Sequence, residues 1–467
     1  MVIRRGIRFT PSWACAAALL VLATAASADA PHRASHVDQS PFTVPPGLRS
    51  QVEFWKNIFA TYSTHQVVIH DALHLDRVYA VLDFRPLAAA GMSEVEIDQV
   101  RHRTVDDEVH KIRSTLIRLH QLGPDFQAAS HLTDEERKIW ALFAGVKEQN
   151  KFLHAAEPDR LRTQSGLRER FIRGLEVGAR FWPEIERIFR EEGVPIELTR
   201  LPLVESCFNI HAYSKAGAAG VWQFMPFTAR RFMRVDNAVD ERRDPIVAGR
   251  AAARYLRSDF EGLGTWPLAI TAYNHGRAGL AHAVATVGST DIVDIVRRYH
   301  GPAFKFASRN FYAEFLAVLE AQQDAARRFG DLHYERPIPA TTVRVPDYVK
   351  LSTLASCAGT SAEALAELNP AFSRAVVDGK LRVPPGYMLR LPAGSERGFQ
   401  ERYAALGPQH KASSQTTTYI VHRVKRGQTL VTIARQYGIT VSAIQKRNNL
   451  SRRASVRAGQ ELRIPQG

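Results

Sequence analysis

Cysteine is scarce in this chain. Of 467 residues only three are Cys, and Cys15 falls in an N-terminal segment expected to be removed. Cys207 and Cys357 lie in regions assigned to different domains and make no disulfide framework, so stability has to come from hydrophobic cores. Paired Cys/His spacings are missing as well, although there are 17 His; this speaks against a structural zinc site, and no metal is expected. After the first thirty residues no segment is apolar enough to cross a membrane. Acidic charge is in deficit: 47 Asp and Glu face 62 Lys and Arg, a net charge of +15. An anionic partner or surface is implied. Because the cations are scattered through all regions, a dedicated nucleic-acid stripe is not expected.

The length suggests roughly two to four domains of about 100 to 200 residues each. Residues 1–28 combine Arg4, Arg5 and Arg8 with an apolar stretch from Trp13 to Ala26 and an Ala26-Ser27-Ala28 end. That is the three-part pattern of a secretory signal peptide cleaved after Ala28, with a retained membrane anchor as the alternative. Cys15 sits too early in the apolar stretch for lipid attachment. Export to the periplasm or cell envelope follows as the expected location.

The polar stretch from residue 29 to 47 reads as a disordered leader to a helical N-terminal region ending at about residue 164. Apolar residues at helical spacing run from Gln51 to about Leu122: Phe54, Ile58, Tyr62, then Val67, Leu73, Val78 and Leu82. Thr133 followed by Glu135 and Glu136 caps a further helix. Residues 168–192 form another, stopped by Gly193. In Pro195-Ile-Glu-Leu-Thr-Arg-Leu-Pro-Leu-Val-Glu205, Leu198, Leu201 and Glu205 share one face, and Pro202 predicts a bent or short helix ending at about Ser206. Asp244-Pro245 starts a well-capped helix, Trp266–Tyr273 is closed by Asn274-His275-Gly276, and a last strong helix spans 309–328. After Pro337 the texture changes. A strand, two short helical patterns and a closing strand occur over 341–394 and again over 419–467, separated by a polar linker at 395–418.

Glu205 is the candidate catalytic group. A carboxylic acid donates a proton at neutral pH only if its pKa is raised, and two features act that way here: apolar neighbours desolvate the anion, and a helix C-terminus disfavours it. Gly217 and Gly220 would let backbone approach a bulky ligand, Gln223 offers a donor and an acceptor for sugar hydroxyls and amides, and Tyr273 and Asn274 add polar groups at a helix end. Each has a plainer reading. A lone Glu at a helix end is more often solvated, glycines more often make turns, and Tyr-Asn at a helix end is more often just a terminus.

The assembled pattern is more specific. Glu205-Ser206, Ala212, Ser214, Gly217-Ala218, Gly220, Gln223, Met225-Pro226 and Thr228-Ala229, followed by Ala272-Tyr273-Asn274 and Gly276, closely resembles the lytic transglycosylase family of soluble-type and membrane-bound D-type enzymes. The resemblance covers about residues 165–325 and implies a lysozyme-like, all-helical catalytic domain, set here at 165–335. It implies Glu205 as the catalytic acid/base, with Ser206, Ser214, Gln223, Tyr273 and Asn274 supporting the substrate. The family often carries a Tyr in the late helix after a Glu-Thr pair; here the run is Ala307-Ser-Arg-Asn-Phe-Tyr312, with Phe311 aligned to that Tyr and Tyr312 beside it as the substrate-side candidate. In the family's reaction one carboxylate suffices: it protonates the leaving oxygen between N-acetylmuramic acid and N-acetylglucosamine, then deprotonates the C6 hydroxyl of the same muramyl sugar, with no water and no cofactor. A second acid in the cleft, such as Asp236 or Asp240, would make muramidase-type hydrolysis the alternative.

Tyr419-Ile-Val421, Gly427-Gln-Thr-Leu430, Ile433-Ala434, Asn448-Asn-Leu450 and Val456 to Pro465 resemble a LysM module, with Gln428 in place of the usual Asp. The resemblance implies a groove for N-acetylglucosamine-containing glycans near Gly427, Gln428, Thr429, Asn449 and Leu450. The unit at 341–394 resembles a degenerate LysM that keeps Leu351, Leu354-Ala355, Asn369-Pro370 and Leu391-Pro392 but lacks the Gly-Asp-Thr-Leu signature, which suits weak binding or a spacer. The reading is a mainly α chain with two small βααβ modules. Its expected partner is peptidoglycan glycan strands, and peripheral association with envelope membranes or wall-synthesis complexes is a further expectation. A catalytically silent wall-binding scaffold is the competing reading, and the presence of Glu205 argues against it.

Overall fold

The computed structural model describes residues 40–123, 132–415 and 418–466. The expected signal peptide and most of the leader lie outside the described residues. The elements below all belong to the unit that begins at Phe42; the main ones are labelled and shorter ones are given by residue.

Helix α1 (Arg49–Ala60) buries Val52, Trp55, Ile58 and Phe59, a stripe at helical spacing. The chain then turns into a three-stranded antiparallel sheet rather than the expected helix: β1 (Gln66–Asp71) lies between β2 (Val78–Asp83) and β3 (Leu161–Ser165). Val67, Val78 and Leu82 are therefore strand residues, and Leu73 lies in the connection between β1 and β2. The helical expectation failed for a physical reason. β1 is buried on both faces, with Val68 in the main core and Ile69 in a second cluster with Ile112, Leu116 and Phe143. A continuous apolar run of this kind has no alternation to betray it, and only its β-branched content favours a strand. Between β2 and β3 run α2 (Glu94–Gln121), opened by a Ser93/Glu96 capping box, and the helix Asp134–Ala141, opened by the Thr133/Glu136 box.

The main core is built by α3 (Arg168–Gly178), α4 (Trp182–Glu191), α5 (Leu201–Ser206), α6 (Pro245–Leu263), α7 (Trp266–His275) and α8 (Phe306–Gln323). α8 is central: α1, α5 and α7 all pack against it. Its buried residues include Phe311, Phe315, Leu316 and Val318, the last three at most 1% exposed, and each such side chain contributes about 1.5–3 kcal/mol on burial. Arg49 and Lys56 of α1 pair with Glu320 of α8 at 2.6 and 2.9 Å. The helical N-terminal stretch is thus one body with the helices that follow.

The two C-terminal modules share a plan. In the first, β4 (Ala340–Arg344) pairs antiparallel with β5 (Met388–Pro392) around α9 (Leu351–Ala358) and α10 (Ala362–Leu368). In the second, β6 (Thr418–Arg423) pairs with β7 (Glu461–Gln466) around α12 (Leu430–Gln436) and α13 (Val441–Arg447). One asparagine ties helix to strand in the same way in each. The Asn369 amide donates to the carbonyls of Leu365 and Arg390 and accepts from the Arg390 N–H. Asn448 does the same with Ile444 and Arg463.

The expected linker at 395–418 is instead largely part of the first module. It contains α11 (Glu396–Ala404), with Phe399 and Tyr403 buried in the module core. Tyr403 donates to Asp347 at 2.9 Å and Arg402 to the Cys357 carbonyl at 2.7 Å. Ala412 bridges to Tyr348. The segment looks polar because Arg397, Gln400 and Glu401 make up the exposed face of an amphipathic helix. Among the described residues both cysteines, Cys207 and Cys357, are unpaired, and no single helix is long and apolar enough to cross a membrane.

Candidate active site

A 3-10 turn, Ile196–Arg200, hands over to α5 at Leu201. Pro202 sits in the first turn of α5, where a missing N–H goes unnoticed. Leu198, Leu201 and Leu203 are fully buried and hold the helix in the core. After Ser206 the chain leaves through two consecutive left-handed residues, Cys207 (φ 48) and Phe208 (φ 53). Non-glycine residues rarely adopt this conformation. Their N–H groups close the helix on the carbonyls of Leu203 and Pro202, and Phe208 is locked between Phe181 and Trp182. The turn lies directly on α3: a Cβ at Gly174 would come within 2.4 Å of the Cys207 carbonyl oxygen. α5 is therefore short by construction, and Glu205 lies in its last turn.

Glu205 is half-buried, and among the described residues no hydrogen bond or ion pair compensates its charge. Burial pushes its carboxyl up to about 8. The group is thus largely protonated at neutral pH, as a proton donor must be.

Around it stand elements far apart in sequence. Tyr273 of α7 is close enough for the Glu205 charge to help raise its phenol, after burial itself, and its hydroxyl donates to the Trp222 carbonyl at 2.8 Å. Phe224 and Tyr255 pack on its ring. Ser206 donates to the carbonyls of Pro202 and Val221, tying α5 to the glycine loop. Ser214 accepts from the Ala218 N–H at 2.9 Å and closes that loop. Gly220 presses so closely on the next segment that a Cβ would sit 1.8 Å from the Arg242 carbonyl oxygen. Gln223 is held left-handed at φ 49, with its amide donating to Gly220 at 2.7 Å. Asn274 accepts from Ser308 at 2.8 Å.

Tyr312 is placed within the main core at 3% exposure, as is Phe311. Asp236 and Asp240 are occupied elsewhere. Asp236 caps the Ala238 and Val239 N–H groups and bonds Arg234, while Asp240 grips Arg242 with both oxygens. The second acid near Glu205 is one the sequence reading missed. Glu314 on α8 is half-buried, without a hydrogen-bonding or ionic partner among the described residues, and is pushed up to about 8 by burial and then by the Glu205 charge. Its signal was available: it is the lone acid inside the apolar run Phe311–Leu319, three residues from Phe311 and four from Val318, on the inward stripe.

A cavity of about 1080 Å³ lies behind this turn, and Arg170, Arg173, Arg180 and His211 are among the residues lining it. Among the described residues no cluster of three or more His, Cys, Asp or Glu is placed to hold a metal.

In the second module, Gly427 (φ 82) and Asn449 (φ 51) are left-handed turn residues. Thr429 caps α12. Gln428 is bonded to His422, the Lys425 N–H and Gln436. Leu450 packs partly against the module core. The expected glycan-binding residues are thus brought to the two loops flanking the helix pair.

Residues 185–296 match the transglycosylase SLT domain family, 340–407 the LysM-like domain of lytic transglycosylase MltD, and 422–465 the LysM domain. The chain is 25% identical over 403 residues, 82% of its own length and 79% of the relative's, to membrane-bound lytic murein transglycosylase D of Escherichia coli K12. It is 38% identical over 101 residues to a putative tributyltin chloride resistance protein of Alteromonas sp. (strain M-1), covering 21% of this chain and 48% of that one. The chain thus carries a transglycosylase SLT domain followed by an MltD-type LysM-like domain and a LysM domain, the domain set of a lytic murein transglycosylase.

Proposed function

We propose that the protein cleaves the β-1,4 bond between N-acetylmuramic acid and N-acetylglucosamine of peptidoglycan without water, using Glu205 twice. The observation that carries this reading is the Glu205 carboxyl at the end of α5, half-buried, pushed up to about 8 by burial and, among the described residues, without a cation or hydrogen bond to stabilise its anion. Glu205 gives its proton to the departing glycosidic oxygen as that bond breaks. The carboxylate left behind takes the proton of the muramyl C6 hydroxyl, whose oxygen closes on C1 to form the 1,6-anhydro ring. Atoms balance with no water consumed, and Glu205 is again protonated.

Tyr273, held by its bond to Trp222, stands beside the acid. Gln223, strained and presented by the glycine loop, together with Ser206, Ser214 and Asn274, shapes the sugar site. The second module supplies glycan affinity through Gly427, Gln428, Thr429, Asn449 and Leu450. Export through residues 1–28 and peripheral association with envelope membranes or wall complexes complete the reading.

Glu314 supports a second reading, because two carboxyls in one cleft are what hydrolysis by a lysozyme-type enzyme uses. Mass spectrometry of sacculus digests separates the two. Anhydromuramyl ends are expected; reducing ends heavier by one water would replace the first reading with the second.

A further inference from the structure

The first LysM-like module is docked edge-on against the segment that backs the glycine loop. Val239 and Ala238, from the SLT side of the chain, belong to the hydrophobic core of this module, at 0% and 5% exposure. Backbone joins backbone: Val239 bridges to Phe372, Asp240 N–H donates to Ala371 at 2.8 Å and Ser373 N–H to Ala238 at 2.9 Å. Arg243 donates to the Phe372 carbonyl at 3.0 Å. Arg390 of β5 grips both oxygens of Asp244, which is 1% exposed and caps α6 through the Ile246 and Val247 N–H groups.

The neighbouring residues carry the restraint onward. Asp240 holds Arg242, a residue 3% exposed, whose guanidinium donates to the carbonyls of Gly217 at 2.7 Å and Phe224 at 3.1 Å. Trp222 donates to the Pro245 carbonyl at 3.0 Å. Gly220 sits on the Arg242 carbonyl. Between these points lies Gln223, a left-handed non-glycine residue of the kind that persists only where its surroundings over-determine it.

The shared asparagine bonds show what has been given up. Asn369 corresponds to Asn448, so Pro370 and the following residues stand where Asn449 and Leu450, the expected glycan contacts, stand in the second module. Arg390 corresponds to Arg463, which in the second module lies over the Tyr419 ring and has no carboxylate partner among the described residues. In the first module this edge is filled by residues 238–244.

We propose that the first module is a positioning element of the catalytic cleft rather than a glycan binder: its 371–373 segment and Arg390 clamp residues 238–244, which in turn set the Gly217–Phe224 loop and the angle of Gln223. This rests on the transglycosylase reading for its kinetic consequence but not for its structural one. The test uses the full chain with Arg390→Met and, as a milder variant should that one not fold, Arg243→Met.

Amide hydrogen exchange of residues 217–224 is expected to speed up about tenfold or more while α3 and α4 are unchanged, because the change is a local opening. On short soluble glycans kcat/KM should fall about tenfold through misplacement of the site, with the alkaline limb of the pH profile unmoved and part of the loss restored by Arg390→Lys. A folded Arg390→Met protein whose loop exchanges at the wild-type rate overturns the proposal. Exchange is read without turnover, so a wild type that cleaves no glycan would sink the functional reading alone.

Discussion

Glu314→Gln removes one of two coupled carboxyls while keeping its size. α5 and α8 are packed neighbours, and packed helices run roughly 8–10 Å apart. A like charge at roughly 8 Å in an effective dielectric of about 20 contributes about 2 kcal/mol, or about 1.5 pH units. The groups that face this pair are Glu205, Glu314 and, beside Glu205, Tyr273, with Tyr255 and Asp259 next to Tyr273. Each carboxylate opposes ionisation of the other, so the two protons leave stepwise and belong to the pair.

Without Glu314 the proton on Glu205 is lost at lower pH. The alkaline limb of kcat should move down towards the value of about 8 that burial alone gives Glu205, by up to about 1.5 units. Well above pH 8 the variant should be slower than wild type, by up to roughly 30-fold for 1.5 units, and at pH 5.5 nearly equal, because Glu205 is protonated in both. The assay is the pH dependence of release of soluble fragments from sacculi under saturating substrate. An unmoved limb refutes the coupling. A uniform loss at every pH, with products one water heavier in the wild type, would assign Glu314 to hydrolysis instead.

Two further substitutions probe the same geometry. Glu205→Gln should abolish fragment release while sacculus binding is largely kept. It should also stabilise the fold at pH 8: a carboxyl raised from 4.5 to about 8 holds its proton in the folded state, so wild-type stability is full below about pH 4.5 and falls as pH rises towards 8, by a few kcal/mol in all. Denaturation midpoints at pH 5 and pH 8 check this, and a variant no more stable than wild type at pH 8 counts against a buried neutral acid. Gly174→Ala places a Cβ 2.4 Å from the Cys207 carbonyl oxygen, a backbone atom that cannot swing aside, and should cost about 1–3 kcal/mol. It should also lower kcat by shifting the end of α5; a thermal scan and kcat together test it, and an unchanged melting temperature would show that the turn can move freely.

What the linear sequence determined is local. Helical spacing, Asp244-Pro245 as a start, Gly276 as a stop and Pro202 in the first turn of α5 are properties of neighbouring residues, and they placed Glu205 at a helix end. The LysM pattern was legible for the same cause, since its turns and caps sit at fixed offsets. Tertiary structure decided the rest. β1 was hidden because burial on both faces removes alternation. α11 was hidden because its exposed face carries the polar composition of a linker. Glu314 meets Glu205 across 109 positions of chain only because α8 packs on α5. The docking of the first module is made largely by main-chain groups of residues 238–240 and 371–373, and main-chain groups are the same whatever the residue. A charge–charge contact or a backbone bridge between distant segments exists only once the chain has folded, which is why the acid could be read from the sequence and its setting could not.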